Sequence, residues 1–210
     1  MNVKEMFKLG VVLALFATAA CVMLAFVYAG TAPIIAEREA SGLKAALKEI
    51  FPDADNFEPT DEITIADRTI TIQTAYKALY GGQVVGAAIS VSTGSYGGPI
   101  VSLVGVSAEG KITGVRILDH SDTPGLGANV AVPSYLEQYV NKGVYDPFEV
   151  KGDVESVTAS TITSRAVASS VKAAGLAVTA WLGGEVPPAD YGDFDNGEDD
   201  YSETEEAWDE

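Results

Sequence analysis

Thr74-Ala-Tyr-Lys-Ala-Leu-Tyr80, the pair Gly81-Gly82 and the run Val84-Val-Gly-Ala-Ala-Ile-Ser-Val91 read together as a β-hairpin. Aromatic and β-branched residues favour the pleated backbone, and two adjacent glycines are the strongest signal for a tight reversal between two such runs. Working outward, Ile63-Thr-Ile-Ala66 and Thr69-Ile-Thr-Ile72 precede the hairpin as further strand candidates. Ile100–Val106 and Lys111–Leu118 follow it, joined by the turn Ala108-Glu-Gly110. Connections this short allow only antiparallel neighbours, because a parallel crossover needs a dozen residues or more. Past the strands, Pro133–Val140 shows helical spacing at Leu136, Tyr139 and Val140, and Asn141-Lys-Gly143 stops it. Ser164–Leu182 repeats apolar residues at Val167, Val171, Ala174, Val178 and Trp181 and stops at Gly183-Gly184. Strands first and helices on the flanks predict an α+β domain built on an antiparallel sheet.

Before this domain, Leu9–Gly30 is 22 residues without a charge. At 1.5 Å per residue it makes about 33 Å of helix, enough for a hydrocarbon core of roughly 30 Å. One transmembrane helix is therefore expected over residues 9–30. A cleaved signal peptide would have a shorter apolar core and a clear small-residue site, and this run continues past Ala17-Thr-Ala-Ala20. Lys4 and Lys8 precede the span, whereas Glu37, Arg38 and Glu39 are the first charges after it. That asymmetry places residues 1–8 in the cytoplasm and the main domain, 31–186, outside it. Leu43, Ala46, Leu47 and Ile50 give the stretch from Ala36 to Phe51 the spacing of a first helix beyond the membrane, ended by Pro52-Asp53.

The formal net charge is −17, and eleven of the acids lie between Asp190 and Glu210, where there is no lysine or arginine. With little to bury, 187–210 reads as a disordered acidic tail. The charge also speaks against nucleic acid as a partner. One cysteine, Cys21, and one histidine, His120, exclude an internal disulfide framework and a multi-Cys or multi-His metal site within one chain. Cys21 sits in the apolar run and reads as a small hydrophobe.

Glu155-Ser-Val-Thr-Ala-Ser-Thr-Ile-Thr-Ser-Arg165 carries a hydroxyl at six of its eleven residues: Ser156, Thr158, Ser160, Thr161, Thr163 and Ser164. Such a stretch at a helix start, ending in a cation, outlines a phosphate site, since the first helical N–H groups lack partners and the helix dipole favours an anion there. A Ser/Thr-rich strand ending in an ordinary N-cap fits the same residues. Two other loops stand out. One is Gly94-Ser-Tyr-Gly-Gly-Pro99, and the other is His120-Ser-Asp-Thr-Pro-Gly-Leu-Gly127, whose Pro124-Gly125 sets a tight turn expected to present the N–H groups of Leu126 and Gly127. Glycines here admit close backbone approach to a flat ligand, or simply make turns.

Taken together, the three segments resemble the FMN-binding domain shared by the G subunit of the Rnf electron-transport complex and the C subunit of the sodium-pumping NADH:quinone reductase. The resemblance covers about Thr93–Leu182. Gly97-Gly-Pro-Ile100, Val104-Gly-Val106 and Lys111-Ile-Thr-Gly-Val115 are similar to its sheet region; His120–Gly127 is similar to its H-x-E-T-P-G-L-G loop; and Glu155–Ser164 is similar to its D-x-x-S-G-A-T-x-T-S segment. Length and anchor fit the Rnf G subunit in particular.

The resemblance implies FMN joined by a phosphoester bond to Thr161, installed by a flavin transferase that uses FAD. Thr158, Ser160, Thr163, Ser164 and Arg165 would surround the phosphate, and His120, Asp122, Thr123, Gly125, Leu126 and Gly127 would meet the isoalloxazine, with Leu126 against a ring face. Five residues depart from the motifs: Glu155 stands for Asp, Thr158 for Ser, Ala159 for Gly, Ser160 for Ala and Asp122 for Glu. Ser160 thus places a competing hydroxyl beside Thr161. His120 and Asp122 are candidates to exchange protons with the flavin, an orienting loop being the simpler reading.

The implied function is electron transfer within an ion-translocating ferredoxin:NAD oxidoreductase complex, beside other membrane and iron–sulfur subunits, with no substrate turned over by this chain alone. The equivalent subunit of a sodium-translocating NADH:quinone reductase and an extracytoplasmic ligand-binding sensor are the alternatives.

Overall fold

The computed structural model describes residues 3–65, 67–158 and 160–184. By contact the chain divides into two units, Met1–Ala46 and Leu47–Glu210. In the first, helix α1 (Val3–Ile50) starts, and Pro33 lies inside it. The apolar run 9–30 and the helix expected from Ala36 are therefore one continuous element. Phe16 and Leu24 are 68 % and 70 % exposed. By length and composition α1 is long and apolar enough to cross a membrane.

In the second unit, strands β1 (Asn56–Pro59), β2 (Thr71–Tyr80), β3 (Gln83–Gly94), β4 (Pro99–Ser107) and β5 (Ile112–His120) form one antiparallel sheet in sequence order. The expected hairpin closes at Tyr80 opposite Gln83. Its two central residues, Gly81 (φ 57°) and Gly82 (φ 79°), both occupy the left-handed region that a two-residue turn of this hand requires. After the sheet come a 3₁₀ turn over Gly127–Ala131, the single-turn helix α2 (Pro133–Leu136), a second 3₁₀ turn over Glu137–Tyr139, and helix α3 (Thr161–Trp181).

The sheet is covered on both faces. Val167, Val171, Ala174 and Val178 of α3 share a core with Ile89, Val91, Ile100 and Val104. The other face is kept flat by Gly86, Gly105 and Gly114, which lie beneath Ile50 and Phe51. A Cβ on Gly105 would collide with Ile50 Cγ2 and Thr113 Oγ1 and fall 3.0 Å from Phe51 Cε2. Gly105→Ala is accordingly expected to destabilise the domain by about 1–3 kcal/mol through overpacking. Gly94→Ala, with open space around its added carbon, serves as the control in the same thermal melts.

Several boundaries differ from those expected. Ile63–Ile65 is irregular, with Ile63 buried in the core, so its β-branched character reflects burial and not a ladder. The strand sequence reasoning missed is β1, which pairs with β2 through its backbone while its side chains stay mostly exposed, leaving no apolar alternation to read. Thr69–Ile72 and Thr74–Tyr80 are replaced by the single strand β2, with a register irregularity between Ile72 and Thr74. The helix expected over Pro133–Val140 tightens to 3₁₀ geometry after one turn. Helix α3 begins at Thr161, three residues before Ser164, because the Ser164 N–H already reaches Ser160 O at 2.9 Å. The acidic stretch 187–210 lies outside the described residues.

Candidate functional site

Three loops meet at one carboxylate. Asp122, 5 % exposed, follows the end of β5. Its Oδ1 accepts the Gly97 N–H (2.9 Å) and the Thr163 hydroxyl (3.2 Å), and its Oδ2 accepts the Ser95 hydroxyl (2.7 Å). The three donors belong to the β3–β4 turn and to the first turn of α3, so one side chain pins both to its own loop. Two glycines make room for it. A Cβ at Gly97 would lie 2.7 Å from Asp122 Cα, and one at Gly127 would lie 2.6 Å from Asp122 Cβ. These glycines admit the close approach of a carboxylate from the chain itself. Asp122 is thus an acceptor for three internal donors.

Next to this clasp, the β3–β4 turn is fixed by Ser95, whose N–H donates to Gly98 O at 2.8 Å and whose single hydroxyl proton is shared between that carbonyl (2.8 Å) and Asp122 Oδ2. Behind it Thr93 Oγ1 and Ser170 Oγ are 2.7 Å apart in a buried hydroxyl pair, with Ser170 also donating to Ala166 O. This pair ties the end of β3 to α3. In the upper loop, Leu126 and Ala128 both donate to Thr123 O, at 3.2 and 3.4 Å. The Leu126 N–H expected to face a ligand is therefore engaged within the turn, while the Leu126 side chain is 47 % exposed. Gly125 (φ 83°) supplies the left-handed residue this reversal needs. His120 ends β5 opposite Ile100, and its Nδ1 is buried without a hydrogen-bond partner among the described residues.

The hydroxyl stretch separates into two classes. Ser164, fully buried, accepts the Val157 N–H on its Oγ at 3.1 Å, and Thr163 is engaged with Asp122. Ser160 is the N-cap of α3, 7 % exposed, and its side chain makes no capping hydrogen bond. Thr161, the first helical residue, is half-buried, and Thr158 and Arg165 are exposed. The first turn takes no capping hydrogen bond from the Ser160 side chain, and a helix start of this kind can take an anion on its N–H groups.

The approach to that turn is also ordered. Asp153 Oδ1 accepts the Glu149 N–H (2.6 Å), and its Oδ2 accepts Lys142 Nζ (2.9 Å) and the Phe148 N–H (3.3 Å). Burial works to raise the Asp153 carboxyl, but the hydrogen bonds and charge of Lys142 and those backbone donors outweigh it and hold it below the usual carboxylate range. Glu155 donates its N–H to Gln138 Oε1 at 2.7 Å. Sequence reasoning missed Ser95, the Thr93–Ser170 pair and Gln138. Ser95 sits inside a glycine-rich loop that stands out along the chain, but nothing there signals a contact between Gln138 and a residue seventeen positions later.

Residues 95–175 match the family model of the FMN-binding domain, and residues 1–50 match that of the RnfG N-terminal region. The G subunit of the ion-translocating oxidoreductase complex of Methanosarcina acetivorans is 33 % identical over 175 residues, covering 81 % of this chain and 93 % of that one. The G subunit of the Na⁺-translocating ferredoxin:NAD⁺ oxidoreductase complex of Acetobacterium woodii is 32 % identical over 185 residues, covering 80 % of this chain and 89 % of that one. Among solved structures, the C subunit of the Na⁺-translocating NADH-quinone reductase from Parabacteroides distasonis aligns with a TM-score of 0.44 at 19 % identity, over 54 % of this chain and 64 % of that one. With its FMN-binding domain lying in the unit that carries the Asp122 clasp, the chain belongs to the family of G subunits of ion-translocating oxidoreductase complexes.

Proposed function

We propose that this chain carries electrons within a membrane-bound ferredoxin:NAD oxidoreductase complex through FMN joined by a phosphoester to Thr161. The observation that carries the site is the contrast at the start of α3: Ser160 is buried, whereas the adjacent Thr161 hydroxyl is borne by a half-buried residue on an uncapped helix turn. An ester phosphate there would meet unpaired N–H groups and the positive end of the helix dipole, with Arg165 one turn along. Thr163 and Ser164 are already engaged with Asp122 and Val157, so they shape the site from behind. Leu126 and the Thr123–Gly127 turn, held to α3 through Asp122, would border the ring.

Bound FMN supplies the one- and two-electron chemistry, and the protein sets its place and surroundings. In the attachment reaction, Thr161 Oγ1 bonds to the FMN-side phosphorus of FAD and the pyrophosphate P–O bond breaks. AMP leaves with the bonding electrons, and the threonine proton passes to solvent or to a base of the transferase. The atoms balance with no change of oxidation state.

The wider reading follows the apolar stretch of α1: residues 9–30 cross the membrane, residues 1–8 are cytoplasmic, and the domain lies outside beside other membrane and iron–sulfur subunits. A cofactor fixed covalently suits that compartment, where a dissociated one would be lost. The full chain, co-expressed with its flavin transferase, is expected to be yellow and to keep flavin fluorescence on a denaturing gel. Release of intact FMN by denaturant would refute covalent attachment.

A further inference from the structure

We propose that Gln138 is a positioning residue for flavin attachment, holding the run of residues 155–158, ahead of Thr161, in the shape presented to the transferase; this rests on Thr161 being the attachment residue. The run lies between two buried anchors. Val154, 1 % exposed, is bridged to Val150, and Ser160 is 7 % exposed at the cap of α3. Between them Glu155 and Thr158 are exposed and Ser156 and Val157 half-buried. Residues 155–158 belong to no strand or helix.

Two of its N–H groups are instead taken up by side chains. Glu155 donates to Gln138 Oε1 (2.7 Å) and Val157 to Ser164 Oγ (3.1 Å), while Ser160 donates to Val157 O (3.0 Å). Ser164 is local, on the helix that follows. Gln138 is not: it comes from the 3₁₀ turn between buried Leu136 and Tyr139, and it carries the fixed frame of the core to the start of the run. Its amide is oriented by its own Nε2, which donates to Tyr135 O at 2.8 Å, so that Oε1 faces Glu155. Tyr139 beneath it stacks on Phe148 with ring centroids 6.3 Å apart, leaving the turn little freedom.

An enzyme that reaches the Thr161 hydroxyl would meet exposed Thr158 just before it as well as exposed Ile162 and Arg165 after it. A run already held in one conformation spares the transferase the entropy of ordering it, and a loose run does not. Gln138 lies well outside the hydroxyl stretch and acts through the backbone of Glu155, so its contribution is to presentation and not to the transfer chemistry.

The test uses the full chain in detergent, purified flavin transferase and FAD, with covalent flavin followed by in-gel fluorescence and its position fixed by peptide mass. Gln138→Met keeps the size and removes both hydrogen bonds; Gln138→Asn keeps the amide and shortens its reach. Both are expected to lower kcat/KM for the acceptor chain roughly three- to tenfold, the worth of about one hydrogen bond. KM for FAD and the melting temperature are expected to stay unchanged, and amide exchange over residues 155–160 to speed up. Faster exchange with wild-type labelling rates overturns the proposal, as does unchanged exchange. If the unmodified chain takes no flavin at Thr161, the attachment site itself is wrong and this inference falls with it. Correct labelling of that chain together with normal labelling of both variants sinks the Gln138 role alone.

Discussion

Thr161→Ala is expected to abolish covalent flavin completely, leaving a colourless chain of unmodified mass that folds normally. The phosphoester needs one oxygen, and alanine removes it without disturbing the core, because Thr161 is half-buried at the first position of α3. A substitution at such a site is worth roughly 0.5 kcal/mol or less in stability. Ser160→Ala supplies the contrast. That side chain is 7 % exposed and makes no capping hydrogen bond, so its loss is expected to leave the flavin in place. Thr158→Ala completes the set, since Thr158 is an exposed threonine three residues before Thr161. Intact mass of the three variants identifies the modified oxygen; flavin retained by Thr161→Ala and lost from either of the others would move the site.

The second large effect is expected at Asp122. Asp122→Ala leaves the Gly97 N–H and the Ser95 and Thr163 hydroxyls without their common acceptor, in a pocket where Asp122 is 5 % exposed. A buried donor stripped of its partner costs about 1–3 kcal/mol, and part of this loss is recovered where hydroxyls rotate to new acceptors. The expected total is roughly 2–4 kcal/mol, a fall in melting temperature on the order of 6–12 °C for a domain of this size. Covalent labelling is expected to slow as well, since the first turn of α3 loses its tie to the loops opposite. Asp122→Asn should lose much less: its carbonyl can keep the Gly97 and Thr163 donors while its amide turns toward Ser95 Oγ. Equal melting of the alanine variant and the parent would show that the carboxylate is not the clasp described.

Much of the sheet and the main helix was legible because local chemistry and tertiary environment agree there. Gly81-Gly82 between two β-rich runs admits little but a hairpin, and Val167, Val171, Ala174 and Val178 keep one face through about three turns of α3. β1 was illegible because an edge strand is held by its backbone, and Ile63 misled because burial of an irregular segment selects the same residues as a strand. At the site, the motif spacing singled out the Asp122 loop and the hydroxyl stretch, but not their division of labour. Six hydroxyls and one carboxylate look alike along the chain.

The sequence by itself determined the antiparallel α+β core, the charge-free run long enough to span a membrane, and the segments bearing hydroxyls and glycines, since periodicity and turn chemistry act within a few residues. Tertiary structure alone decided which hydroxyls are engaged. Burial takes Ser160, Asp122 takes Thr163 and the Val157 N–H takes Ser164, while Thr161 is half-buried at the start of α3 and Thr158 is exposed. Those assignments depend on contacts between residues up to 41 positions apart. No local pattern encodes them, because hydrogen-bond partners are fixed by where the packed elements bring the chain and not by their distance along it.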